Sequence, residues 1–210
     1  SNTQTGFLEV YSTTYGWEQV GGISSTPTSV SATDTPSGRA YNNGAASITF
    51  TPGSIAGRSY TVTSNPGGYT ASGSSSPITI TGLQSSTQYT YTVTATNNYG
   101  TSSASSASSG VTATSVPQAP TIGTATAGNA QADVTFTAGA TGGSSITSYT
   151  VTSSPGNITA SGASSPITVT GLTNGTAYTF TVTATNANGT SSASSATSSV
   201  TPVAIITGDY

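Results

Sequence analysis

Residues 88–97 read QYTYTVTATN, and this stretch decides the fold. Its apolar side chains, Tyr89, Tyr91, Val93 and Ala95, alternate strictly with four threonines. Successive side chains of a β-strand point to opposite faces, so the pattern predicts a strand with one face in a core and the other in water. Threonine suits the outer face because it favours strands and carries a hydroxyl group. The stretch therefore indicates one half-buried strand of a β-sheet.

The stretch belongs to an internal repeat. Residues 61–112 return as residues 150–201, at a constant offset of 89, with about three positions in four identical. Upstream, Phe50 matches Phe136 at an offset of 86, because the second copy has three extra residues in the loop 138–148. A period near 90 residues exceeds that of solenoid repeats and suits a whole β-sandwich of about 100 residues.

Each copy contains several further short strands, separated by clusters of Asn, Pro, Gly and Ser. The alternating apolar pairs are Ile48/Phe50, Tyr60/Val62 and Ile78/Ile80, matched by Val134/Phe136, Tyr149/Val151 and Ile167/Val169. We therefore predict an all-β chain with two tandem antiparallel β-sandwiches preceded by a short β-hairpin. The predicted segments are a hairpin at 1–23, sandwiches at 24–114 and 117–202, and a β-prone tail at 203–210.

We call residues 88–97, and their counterpart in the second copy, the central strand. This strand and the residues before it resemble a fibronectin type III domain. Residues 82–100, GLQSSTQYTYTVTATNNYG, are similar to the E–F corner and F strand of that family, and residues 171–189 repeat the pattern. The resemblance covers residues 25–202 and implies an immunoglobulin-like sandwich. It also implies that Tyr89 and Tyr178 are tyrosine corners, whose hydroxyl groups bond to nearby backbone.

One position departs from that family. The tryptophan usual in its second strand is absent, and Phe50 and Phe136 stand in its place. The resemblance concerns fold, and because one fold hosts many functions it assigns no activity. Function has to be argued from composition and from the segments outside the repeat.

The N-terminal segment predicts a β-hairpin that needs a partner. Two apolar stretches, at residues 7–11 and 17–20, flank the turn-like sequence STTYG. A lone two-stranded hairpin is marginally stable in water, so it must pack on another body. We take its apolar residues as candidate assembly or attachment residues: Phe7, Leu8, Val10, Tyr11, Trp17 and Val20.

The hairpin pattern G-x-L-x-V-Y, followed by W-x-x-V-G, resembles a small β-unit of tailed-phage fibre and other virion structural proteins. It begins at Gly6 and ends at Gly21. The resemblance implies a segment for attachment or oligomerisation. The alternative is a terminal hairpin that caps the first sandwich.

The tail after Pro202 contains an uncharged, β-prone run, Val203-Ala204-Ile205-Ile206. Such a run tends to pair with the edge strand of a sheet. It is either the last strand of its own sandwich or a strand added to a neighbouring subunit. For the second case, Ile205 and Ile206 are the candidate contact residues.

Composition excludes most catalytic and binding chemistry. The chain has 210 residues, with five acidic residues, two arginines and no His, Cys, Lys or Met. Without His, Cys or Lys, the usual general bases, thiolate ligands and partners of a nucleophilic serine are missing. Two arginines cannot form a nucleic-acid footprint, and no apolar run reaches the length of a membrane span. We predict no enzyme activity, no cofactor, no metal site, no nucleic-acid binding and no membrane insertion.

Few single residues suggest chemistry. Glu9 and Glu18 lie on opposite arms of the hairpin and could approach each other, but paired solvent-facing charges explain them better. Asp133 has Ser47 as its counterpart in the first copy, which argues against a duplicated site. Tyr69 and Tyr99 could stack on sugar rings, although packing explains them as well.

The leading functional hypothesis is a non-enzymatic structural protein of a phage virion, either a capsid decoration or a head- or tail-fibre component. It would be located in the virion or outside the cell. Its partners would be other virion structural proteins or itself, for instance as a trimer, with cell-surface glycans as a secondary partner. The alternative is a spacer or adhesion module of a bacterial secreted or cell-surface protein.

Overall fold

The computed structural model describes residues 7–12, 16–56 and 58–205, and for residues 7–12 and 16–20 the backbone alone. All regular secondary structure in these residues is β-strand. Their contacts form two units. Unit 1 contains Ser1–Thr35 and Gly44–Ala113, and unit 2 contains Pro36–Asn43 and Thr114–Tyr210.

Unit 1 begins with a two-stranded antiparallel hairpin and continues as two sheets. The hairpin strands are β1 (Phe7–Ser12) and β2 (Gly16–Gly22). One sheet has the order β3-β4-β7, with β3 at Thr28–Asp34, β4 at Gly44–Thr51 and β7 at Ile78–Leu83. The other has the order β10-β8-β5-β6, with β5 at Ser59–Asn65, β6 at Thr70–Gly73, β8 at Thr87–Asn97 and β10 at Val111–Ala113. A short strand, β9 at Gly100–Thr101, pairs with the end of β8.

Unit 2 repeats the two sheets without the hairpin, and in place of β10 its described residues have a single antiparallel bridge between Tyr178 and Val200. One sheet has the order β11-β12-β15, with β11 at Thr121–Ala127, β12 at Gln131–Thr137 and β15 at Ile167–Thr170. The other has the order β14-β13-β16-β17, with β13 at Ile146–Ser154, β14 at Thr159–Gly162, β16 at Thr179–Asn186 and β17 at Gly189–Thr190. Every strand pair is antiparallel, so the predicted fold class is confirmed.

Alternation along the strands fills each core. In β8 the four predicted core residues are each at most 2 % exposed, and the intervening threonines are partly exposed. Phe50 is buried in unit 1 and packs its ring 4.8 Å from that of Tyr60; Phe136 and Tyr149 repeat this pair at 4.8 Å in unit 2. Phenylalanine thus fills the position at which the resemblance leads one to expect tryptophan, with an aromatic partner from the facing sheet.

One segment is grouped differently from what the sequence suggested. Pro36–Asn43 follows β3 in the chain but belongs to unit 2. There the Gly38 N–H donates to the carbonyl of Asn188 at 2.9 Å, and the Val116 N–H donates to the carbonyl of Arg39 at 3.0 Å. Nothing in the residue pattern of this segment predicts that grouping.

Candidate functional site

The hairpin places its candidate residues in a defined register. Tyr11 pairs with Trp17, and Leu8 pairs with Gly21. Glu18 pairs with Val10, whereas Glu9 pairs with Gln19, so the two acids occupy successive pair positions rather than one shared position. This register gives no paired-carboxylate geometry by direct opposition, and the role of the apolar residues in attachment remains a prediction.

The tail is not a strand in its described part. Val203 is 62 % exposed, Ile205 is 72 % exposed, and residues 203–205 belong to no sheet. The Val203 N–H donates to the carbonyl of Gly128 at 3.2 Å, so the tail begins alongside the loop before β12. Up to Ile205, the tail does not form a last strand of its own sandwich. Ile206 lies outside the described residues.

Both predicted corner tyrosines hydrogen-bond to the backbone five positions upstream. The Tyr89 hydroxyl oxygen accepts the Gln84 N–H at 3.0 Å, and the Tyr178 oxygen accepts the Thr173 N–H at 3.1 Å. The Thr173 N–H lowers the pKa of Tyr178, because a donor to the phenolic oxygen stabilises its ionised form. Each bond ties the loop before the central strand to that strand, which is a structural task.

A third tyrosine differs between the units. Tyr91 is 1 % exposed, and its hydroxyl group has no hydrogen-bond partner among the described residues. Burial raises its pKa to about 12, with smaller contributions from Tyr89 and Asp34. Phe180 occupies the equivalent place in unit 2 and is fully buried. The hydroxyl group of Tyr91 is therefore an uncompensated polar group in an otherwise apolar core.

The remaining titratable and aromatic candidates are spread over the surface. Thr168 donates its hydroxyl to Asp133 at 2.5 Å across neighbouring strands. Arg39 donates to the backbone and side-chain oxygens of Asn43 at 2.9 and 3.1 Å, and so closes its own loop. Tyr69 packs on the core of unit 1, edge-on to Tyr89, whereas Tyr99 is 64 % exposed. Among the described residues no three His, Cys, Asp or Glu side chains come together as a metal site.

The structure shows a feature that the sequence analysis missed, which we call the serine ladder. It consists of hydroxyl residues at every third position beside the central strand: Ser102, Ser105 and Ser108 in unit 1, and Ser191, Ser194 and Thr197 in unit 2. These stretches are not strands, yet each ladder residue bonds to one residue of the central strand.

Ser105 shows how the serine ladder works. Its N–H donates to the carbonyl of Val93 at 2.9 Å, and its hydroxyl oxygen accepts the Val93 N–H at 2.9 Å. The same hydroxyl group donates to the carbonyl of Ser106 at 2.8 Å. A side-chain oxygen thus accepts the N–H of the strand in place of a backbone carbonyl oxygen. The two residues between successive ladder positions are exposed to solvent. The serine ladder therefore covers this edge of the sheet over the stretch where it bonds to the central strand.

The turns that follow the two central strands are also alike. In the β8–β9 turn, the Asn97 side chain accepts the Tyr99 N–H at 2.9 Å and donates to the carbonyl of Gly22 at 2.7 Å. In the β16–β17 turn, Asn186 accepts the Asn188 N–H at 2.9 Å and donates to the carbonyl of Ser115 at 2.9 Å. Each asparagine therefore holds both its own turn and the segment that enters its sandwich.

The described part of the chain contains no helix long and apolar enough to cross a membrane. A groove of about 330 Å³ lies in unit 1 between residues 26–30 and Ser105–Ala107. Its lining consists of Ser, Thr, Pro, Val and Ala and includes no titratable side chain, so it offers no acid–base chemistry.

Comparison with known proteins gives a family match for the second unit. The family model described as fibronectin type III domain matches residues 115–201. No curated protein matches the chain. Among solved structures, the FN1–FN3 domains of chicken CNTN1 share 16 % identity at a TM-score of 0.43, over 87 % of this chain and 68 % of that one.

Two titin structures are also similar. A stretch of titin domains shares 19 % identity at a TM-score of 0.45, over 90 % of this chain and 71 % of that one. The titin kinase with its flanking domains shares 25 % identity at a TM-score of 0.37, over 41 % of this chain and 17 % of that one. By sheet order and core, the chain is a tandem of two antiparallel β-sandwiches, and the second of them matches the fibronectin type III domain over residues 115–201.

Proposed function

We propose that the chain is a non-catalytic structural protein, in which two sandwiches serve as spacers and the N-terminal hairpin attaches them to a larger assembly. One observation carries the proposal: the two units share what stabilises the fold and differ in what they expose. If the repeat had duplicated a binding or catalytic site, the residues of that site would be present in both units.

The shared features are structural. Both units have the tyrosine corner, the serine ladder and the Phe–Tyr pair of the core. The charged candidate and the two sugar-stacking candidates are not shared. Tyr99 corresponds to Asn188, Tyr69 to Ile158, and Asp133 to Ser47. What was duplicated is the scaffold itself, which suits a spacer.

The specific form that we propose is a component of a phage virion, as a capsid decoration or a head- or tail-fibre part. The resemblance of the hairpin to virion β-units supports it, together with the need of a lone hairpin for a partner. The partner would be another virion protein or a second copy of the chain, and the location would be the virion or the extracellular space. The exposed Tyr99 ring supports weak glycan adhesion as an addition to that role.

The alternative is a spacer or adhesion module of a bacterial secreted or cell-surface protein. The fibronectin type III match of residues 115–201 supports this alternative, since that match concerns the sandwich and not the hairpin. The two proposals differ in what the hairpin does.

Light scattering on the full chain, and on a variant that lacks residues 1–20, tests the hairpin. The deletion keeps Gly21–Ile23, which contact the sandwich of unit 1. We expect the full chain to assemble or to be captured by purified phage particles. After the deletion we expect a monomer, lighter than the 20.4 kDa of the full chain, that the particles do not capture. A monomer in both cases, with no capture by particles, would refute attachment through the hairpin and favour the spacer alternative.

A further inference from the structure

The β8–β9 and β16–β17 turns each hold the segment that enters their own sandwich. The two segments differ at one position, and the turns differ at the residue that contacts this position. Gly22 and Ser115, whose carbonyls accept the asparagine side chains, occupy equivalent places before the two sandwiches. The next residue is apolar in both units. Ile23 contacts Gly100, where a Cβ atom would lie 3.3 Å from its side chain, and Val116 contacts Gly189, where the corresponding distance would be 3.1 Å.

The two units differ at the residue that precedes Gly22 in unit 1 and Ser115 in unit 2. In unit 1 it is Gly21, and the Tyr99 ring covers it so closely that a Cβ atom there would lie 2.7 Å from the ring. In unit 2 it is Thr114, whose hydroxyl oxygen accepts the side-chain N–H of Asn188 at 3.1 Å. A large ring thus faces a residue without a side chain in one unit, and two small polar side chains bond in the other.

We propose that the β8–β9 turn is a docking clamp for the base of the N-terminal hairpin, in which Asn97 binds the chain and Tyr99 selects the glycine of that segment. The β16–β17 turn is the same clamp with a different selecting residue, Asn188, matched to Thr114. The clamp deepens the proposed function, since it states how the attachment hairpin is held, but its contacts exist whether or not the hairpin binds a partner.

The physical basis is the combination of one strong contact and one shape match. The 2.7 Å bond from Asn97 fixes the direction of the chain at Gly22, and the amide oxygen of Asn97 is held at the same time by its own turn. The Tyr99 ring gains contact area over Gly21, although 64 % of the surface of Tyr99 is exposed. A side chain at position 21 would meet the far end of the Tyr99 ring, at Cζ and the hydroxyl oxygen, and would turn the ring away from the segment, so that this contact area is lost.

Two measurements on the full chain report on the clamp. Trp17 is the single tryptophan and lies in β2, so its time-resolved fluorescence anisotropy reports motion of the hairpin. Amide hydrogen exchange of the peptide 16–23 reports opening of the base. For Asn97→Ala we expect exchange about tenfold faster and a larger fast component in the Trp17 decay, because a hydrogen bond is lost at the hinge. The matched control is Asn98→Ala, whose side chain is exposed in the same turn and should leave both unchanged.

The selection by Tyr99 is tested by a rescue. Gly21→Thr should loosen the hairpin base, as should Tyr99→Asn, whereas the two together reproduce the pair of unit 2 and should restore slow exchange and the slow Trp17 decay. A double variant as loose as either single variant would overturn the selection by Tyr99. An Asn97→Ala variant indistinguishable from Asn98→Ala would overturn the clamp itself. Neither result bears on whether the hairpin binds a partner, which the native mass measures separately.

Discussion

Replacing Tyr91 with phenylalanine should stabilise unit 1. The ring of Tyr91 fills the core, and only its hydroxyl group lacks a partner. Burying such a group costs about 1–3 kcal/mol, and the phenylalanine variant keeps the apolar contacts while removing that cost. We expect a gain of about 1–2 kcal/mol, which for a unit of this size raises its melting midpoint by about 4–8 °C per kcal/mol.

Unit 2 supplies the matched control. It already has phenylalanine at the equivalent place, so Phe180→Tyr adds the hydroxyl group that Tyr91→Phe removes. We expect Phe180→Tyr to destabilise unit 2 by about 1–3 kcal/mol. Because two units need not unfold together, the assay is residue-resolved hydrogen exchange, read at the amides of β8 and β16. In the Tyr91→Phe variant, exchange in β8 should slow about tenfold for each 1.4 kcal/mol gained.

The pH dependence of the stability of unit 1 provides a second test of the Tyr91 hydroxyl group. Burial raises the pKa of Tyr91 to about 12, above its ordinary value of 10. Between these values the unfolded chain loses the proton and the folded chain keeps it, so unit 1 should lose about 1.4 kcal/mol per pH unit from this residue. Tyr91→Phe should remove that loss. If the variant is no more stable than the parent at pH 7 and equally sensitive at pH 11, the hydroxyl group has a partner and the reasoning is wrong.

Three further predictions concern the shared scaffold. Ser105→Ala should destabilise unit 1 by about 1–2 kcal/mol in chemical denaturation, because it leaves the Val93 N–H without its acceptor, whereas Ser106→Ala should have almost no effect; equal effects would contradict the serine ladder. Tyr178→Phe should remove from the ultraviolet titration of the phenols a step below the ordinary tyrosine range, since the Thr173 N–H lowers that pKa, and a titration curve that keeps this step would contradict the assignment. Gly142→Ala should destabilise unit 2 more than Gly171→Ala: both have positive φ, but a Cβ atom at Gly142 would lie 2.5 Å from the Val116 carbonyl oxygen and one at Gly171 would meet nothing within 4 Å. Thermal unfolding monitored by circular dichroism compares the two glycine variants.

The sandwiches were predictable from sequence because their strands obey the two-residue period. Tyr89 and Val93 are buried and the threonines between them are not, as the alternation requires. The same rule located the core of unit 2 through the repeat. Turn clusters then marked where each strand ends. Here local pattern and tertiary burial agree.

The serine ladder was not predictable in this way. Its period of three matches neither the two of a strand nor the 3.6 of a helix, so SSASSASS reads as low-complexity loop. The one available signal was that this run returns in the second copy with only Ser108 changed, to Thr197. The clamp was missed for another reason, since Gly21 and Tyr99 are far apart in sequence and their fit is visible only in space. Whether the tail forms a strand depends on the sheet edge available beside it, and β-propensity alone does not predict that.

The serine ladder also determines which length changes the chain tolerates at this edge. From one ladder residue to the next, the chain advances three residues while the central strand advances two. Gaining or losing a whole Ser-x-x triplet therefore keeps the remaining ladder residues opposite strand residues of the same face. A single inserted residue would put the later hydroxyl groups out of phase and leave their strand amides unpaired. The serine ladder therefore sets the unit in which this edge can change length, the triplet, and β10 limits the number of triplets, because each one would shift the pairing of β10 with Thr87–Tyr89 by two residues.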